Sequence, residues 1–137
     1  MNGTFVDTAY LVVLADPHDQ WHEAALRAAS AVQHTPLVTT YEVLGEFLGF
    51  IAKAGPFMRS RALQIVQLFR TDPAFRIVEE TARDGFDRGL SLYERRPDKG
   101  YSLVDCISME TMRREGIIEV LTNDHHFEQE GFILLIR

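Results

Sequence analysis

The chain has 137 residues, 46% of them hydrophobic and 25% charged, ordinary proportions for a soluble globular protein, and its length suits one core rather than two. Disorder, collagen-like repeats and coiled coil are excluded by that balance. A formal charge of −6 also excludes nucleic-acid binding by bulk attraction to phosphate, so any such contact has to be local or metal-mediated.

The five prolines, Pro17, Pro36, Pro56, Pro73 and Pro97, fall between periodic segments and punctuate them. Thr4-Phe5-Val6 reads as a short apolar strand that runs into Asp7, and Thr8 to Ala15 as a first helix. Behind the turn Asp16-Pro17, the Ala-rich run Trp21 to Val32 predicts a second helix. Leu37-Val38-Thr39 is the second strand. Val43 to Ala52 follows as a helix with Val43, Phe47 and Phe50 on its apolar stripe, then Phe57 to Phe69 as another. Phe75 to Val78 is a third strand, Arg83 to Tyr93 and Leu103 to Arg114 are helices, and Ile117 to Thr122 and Phe132 to Ile136 are the last two strands. Strands separated by helices predict a three-layer α/β/α sandwich with a central, mostly parallel sheet, residues 1–137 forming a single domain.

Cys106 is the only cysteine, which excludes an intrachain disulfide or a thiolate metal cluster and agrees with a reducing cytoplasm. The longest stretch without Asp, Glu, Lys or Arg, Ala28 to Tyr41, contains His34 and Pro36 and is no transmembrane helix. Asp7 stands where a signal peptide needs a basic start. Phosphate-loop, dinucleotide, zinc-peptidase and serine-hydrolase motifs are all missing.

What remains is a set of acids in unusual places. Asp7 directly follows a buried strand and opens a helix, where it serves as an N-cap or as part of a site. Ser102 and Asp105 have the spacing of a capping box, and Asp124 follows the fourth strand in a polar turn, so each has a structural role available. After strand two, Thr39 and Glu42 also have capping-box spacing. Glu46, one turn further on, lies at the margin of the apolar stripe, where a carboxylate is costly unless something positive meets it. In an open parallel sheet, ligands bind at the carboxyl ends of strands. Acids gathered there repel one another unless a divalent cation sits among them, and oxygen ligands select Mg²⁺ or Mn²⁺.

Phe5-Val6-Asp7-Thr8, Val43-Leu44-Gly45-Glu46, Asp98 through Cys106 and Leu121 through Phe127 with Gly131-Phe132 together resemble the PIN domain family, including VapC-like toxin ribonucleases. The resemblance covers almost the whole chain in order. It implies a doubly wound α/β/α fold and metal-dependent endoribonuclease activity. It places the catalytic and metal-binding acids at Asp7, Glu46, Asp105 and Asp124, with Thr8, Ser102 and Asn123 as polar neighbours, and the metal as Mg²⁺ or Mn²⁺. Glu46 is preferred to Glu42 because its context matches and a cap accounts for Glu42. RNA is the implied substrate, with a small antitoxin and a homodimer as implied associations.

His125 and His126 flank the fourth acid and are expected to face solvent. Lys53, Arg59, Arg61 and Arg70 form a locally basic stretch, either a solvated face or an approach for phosphate, and Lys99 is open to the same two readings. Two rivals compete with the nuclease. A non-catalytic interaction module on the same fold has no reason to keep four repelling acids. A phosphoacceptor receiver wants an Asp after strand three, where this chain has Val78-Glu79-Glu80.

Overall fold

A computed structural model describes residues 2–137. Short runs with an apolar pair and a threonine form the first two strands, β1 (Thr4–Val6) and β2 (Leu37–Thr39), separated by the helices α1 (Thr8–Ala15) and α2 (His22–Ala31). The helices α3 (Tyr41–Ile51) and α4 (Pro56–Thr71) lead to β3 (Phe75–Ile77). The helices α5 (Ala82–Arg95) and α6 (Leu103–Glu115) lead to β4 (Glu119–Leu121), and α7 (His125–Gln129) precedes β5 (Ile133–Leu134). Among the described residues the five strands form one sheet in the order β3-β2-β1-β4-β5, parallel at every pairing. This is the expected α/β architecture, with the sheet wholly rather than mostly parallel.

The centre of the sheet is apolar on both faces, as a strand covered on both sides must be. Phe5 and Val6 of β1, Val38 of β2 and Val120 and Leu121 of β4 are fully buried. The register Phe5↔Val38 and Phe5↔Val120 places the carboxyl ends of β1, β2 and β4 level with one another. Since β1 lies between β2 and β4, the chain reverses its direction of travel across the sheet there, and the loops after β1 and β4 frame a crevice. Helices α5 and α6 pack closely. A Cβ on Gly89 would meet the Ile107 side chain and lie 3.1 Å from its backbone nitrogen, so glycine allows the approach.

Three expectations change. The segment after β4 is a five-residue helix, α7, and not a loop. The cap of α3 is Thr40, whose hydroxyl accepts from the Val43 amide at 3.2 Å; Thr39 stays in β2 and donates to the Val6 carbonyl at 2.9 Å, so the Thr39–Glu42 capping box does not form. The buried stripe of α3 is Val43, Leu44, Phe47 and Ile51, while Phe50 points outward and is 70% exposed.

Candidate active site

Asp7 leaves β1 at the crevice, its amide bonded to the Leu121 carbonyl of β4 at 3.3 Å. It occupies the N-cap position of α1, yet its carboxylate makes no side-chain cap bond. Instead Oδ2 accepts a 2.8 Å hydrogen bond from Thr122 Oγ1, across the β1–β4 seam. The residue is only 3% exposed. Burial pushes its pKa up to about 7; the Thr122 hydroxyl opposes the rise, and the charges of Asp105 and Asp124 add to it.

Asp105 enters from α6. The expected capping box is present: Ser102 Oγ accepts from the Asp105 amide at 3.0 Å and Asp105 Oδ2 accepts from the Ser102 amide at 3.1 Å. The cap holds the carboxylate with its side chain 13% exposed. Burial raises its pKa, the Ser102 amide lowers it, and the Asp124 charge raises it further. Asp124 begins α7, and its Oδ1 accepts from the His126 amide at 3.0 Å. Asp124 therefore both caps a helix and reaches the crevice.

The same short helix turns His126 inward. Its Nδ1 lies 3.4 Å from Asp105 Oδ2 and 3.5 Å from Asp124 Oδ1, and ligand atoms of the three residues all lie within 4.8 Å of one another. The expectation that both histidines face solvent therefore holds for His125, with its side chain 77% exposed, and fails for His126. Sequence alone had no means of separating them, because their facing depends on a helix too short to show a period.

Asp7 and Glu46, the latter half-buried on α3, both stand outside this three-donor group. Helix α3 packs against both α1 and α6. Glu42, by contrast, turns toward α5, where its Oε2 lies near Gly85 and its charge acts on Arg88. Of the polar neighbours, Ser102 caps Asp105, Asn123 is half-buried beside Asp124, and the buried Thr8 hydroxyl has no partner among the described residues.

Behind His126 stands a polar buttress that the sequence did not single out. The Tyr101 ring meets the imidazole edge-on at 5.2 Å between centroids, and its hydroxyl donates to Glu130 Oε2 at 2.8 Å. Arg96 Nε and an Arg113 terminal nitrogen bind the same carboxylate at 2.8 and 2.6 Å. Burial alone would raise the Glu130 pKa, but these three donors hold it down at about 2. Part of the basic stretch also has structural work. Arg61 Nε donates to the Ala15 carbonyl at the end of α1 at 2.7 Å, and Arg59 donates to the Ala52 carbonyl at 2.9 Å.

The donor set fits a divalent cation. Carboxylates crowded where burial pushes Asp7 and Asp105 toward the neutral form, beside an unsatisfied buried hydroxyl, are the arrangement that a cation relieves.

A doubly wound parallel sheet with acids near the carboxyl ends of β1 and β4 is the architecture of an α/β nuclease fold. The chain belongs to the PIN domain family, whose pattern it matches over residues 4–132. It is similar to the 23S rRNA-specific endonuclease VapC20 of Mycobacterium tuberculosis, in strains CDC 1551 / Oshkosh and ATCC 25618 / H37Rv. Identity is 27% over 129 residues, covering 94% of this chain and 95% of that protein. The crystal structure of M. tuberculosis VapC20, described as a Sarcin-Ricin loop cleaving toxin, has the same fold. It matches at a TM-score of 0.83 and 26% identity, covering 95% of this chain and 96% of that one.

Proposed function

We propose that the protein is an endoribonuclease that hydrolyses RNA phosphodiester bonds with a Mg²⁺ or Mn²⁺ ion held by Asp7, Glu46, Asp105 and Asp124. The observation that carries this reading is the cluster of Asp105 and Asp124, whose charges oppose the ionisation of the buried Asp7, beside the switch point between β1 and β4. The relatives named for 23S rRNA and for the Sarcin-Ricin loop support a structured RNA as the substrate class.

The chemistry supplied by a cation bound there is Lewis-acid activation of water and of the scissile phosphate. Asp7 and Asp124, at the ends of adjacent strands, would hold the ion. Asp105, held by its capping box, would help hold the ion or orient the attacking water. Glu46 would complete the negative charge or accept the water's proton. Thr122 keeps the Asp7 carboxylate turned into the crevice through its hydroxyl. Attack at phosphorus leaves a 5′-phosphate and a 3′-hydroxyl, as the family resemblance implies. The same resemblance supports a cytoplasmic toxin that acts as a homodimer and pairs with a small antitoxin protein. No helix among the described residues is long and apolar enough to cross a membrane.

The test is cleavage of a structured RNA oligonucleotide with Mn²⁺, with Mg²⁺ and in EDTA. Cleavage that requires either ion supports the reading. Cleavage undiminished in EDTA overturns its metal chemistry.

A further inference from the structure

Around His126, three separate features act on one imidazole. Its backbone amide donates to Asp124 Oδ1 at 3.0 Å, which sets the first turn of α7. Its ring packs in a T-shaped arrangement with Tyr101, whose hydroxyl is tied to the buried Glu130 carboxylate. Its Nδ1 then faces Asp105 Oδ2 at 3.4 Å and Asp124 Oδ1 at 3.5 Å. Both spacings fall within the reach of two bonds of about 2.1 Å to one small cation. The side chain is 31% exposed, so the site stays open to water and substrate.

We propose that His126 Nδ1 is itself a metal ligand, so that this site is a mixed imidazole–carboxylate centre that selects Mn²⁺ over Mg²⁺. The assignment rests on the metal-dependent reading of the same pocket and adds to it the ligand that sets the choice of ion. Mn²⁺ shares the preference of Mg²⁺ for carboxylates but, as a transition-metal ion, accepts an imidazole nitrogen more readily than Mg²⁺, which dehydrates reluctantly and keeps its oxygen ligands. Ligation through Nδ1 requires the ring proton on Nε2, in a ring that packs against Tyr101. Tyr101 and Glu130 thus act as positioning residues, fixing the ring plane as outer-shell partners do at other metal sites.

The test is pulsed electron paramagnetic resonance of the Mn²⁺-loaded full chain, joined to calorimetric titration with Mn²⁺ and with Mg²⁺. Nitrogen modulation from a directly bound imidazole is expected in the parent and in His125→Ala, and its loss in His126→Ala and in His126→Gln. Mn²⁺ affinity should fall at least about tenfold in the His126 variants while Mg²⁺ affinity changes less. Bound Mn²⁺ with no nitrogen modulation in the parent overturns the ligand assignment and leaves the acidic site standing. So does unchanged or higher Mn²⁺ affinity in His126→Gln, the outcome expected if the imidazole were only a cation competing for the carboxylates. Absence of any Mn²⁺ binding overturns the assignment and the metal-dependent reading together.

Discussion

Asp7 stores free energy in the unliganded protein. The unfolded chain ionises this carboxyl at an ordinary pKa near 3.8, the folded chain only at about 7, so between those values the folded state binds more protons. Stability therefore falls as pH rises through that window, and above it the buried charge costs its full amount. Asp7→Asn keeps a group that accepts from Thr122 and removes the charge. In EDTA it should raise stability by about 1–3 kcal/mol at pH 8 and change it little at pH 4, as read from urea unfolding. A variant no more stable than the parent at pH 8 would show that the carboxylate is not desolvated. Glu46 and Glu42 make the second comparison at this scale. Glu46→Gln should abolish RNA cleavage with the thermal melt preserved. Glu42→Gln should retain cleavage and lose at most about 1 kcal/mol, because Glu42 sits on the α5 side beside Arg88. The reverse pattern would move the site one turn toward the N-terminus of α3.

Helix α7 and its buttress bring the candidate site to completion. Glu130 is 4% exposed on its side chain and gathers Arg96, Arg113 and Tyr101 from the α5–α6 loop and α6. Its folded pKa lies below the unfolded value, so the stability it contributes is present above about pH 4.5 and is lost as pH falls toward 2. Glu130→Gln should therefore lower stability at pH 7 by about 1–3 kcal/mol, the difference from the parent narrowing below pH 4 in urea titrations. A difference independent of pH would mean that shape, not charge, holds the junction. The strands β1, β2 and β4 were legible because each carries an apolar pair within a short run that turn or polar residues close, and α6 because its capping box stands in the sequence. Helix α7 was not legible, since five residues cover little more than one turn. Phe50 was misplaced because the stripe of α3 runs through Leu44 and Ile51, which only the packing against α1 and α4 selects. Asp105 could be read as a cap and as a site acid; the capping box forms, and it leaves the carboxylate beside Asp124 and His126.

Across the whole molecule, the site depends on contacts no local pattern contains. Thr122 and Asp7 are far apart in sequence and meet because β1 and β4 are neighbours in the sheet. Asp105, Asp124 and His126 converge because α6 begins and α7 begins at the same end of it. The direct measurement of whether this convergence is a catalytic metal centre uses Asp124→Asn, since Asn retains the helix cap and removes one charge from the cluster. Cleavage of a structured RNA in Mn²⁺ is followed for the parent, Asp124→Asn and His125→Ala, alongside thermal melts in EDTA. The account predicts that Asp124→Asn loses metal-dependent cleavage while its metal-free melt is unchanged or higher, and that His125→Ala cleaves nearly as the parent does. Parent-like cleavage by Asp124→Asn, or a lower melt in EDTA as from a broken turn, would contradict it and favour an interaction module on the same fold.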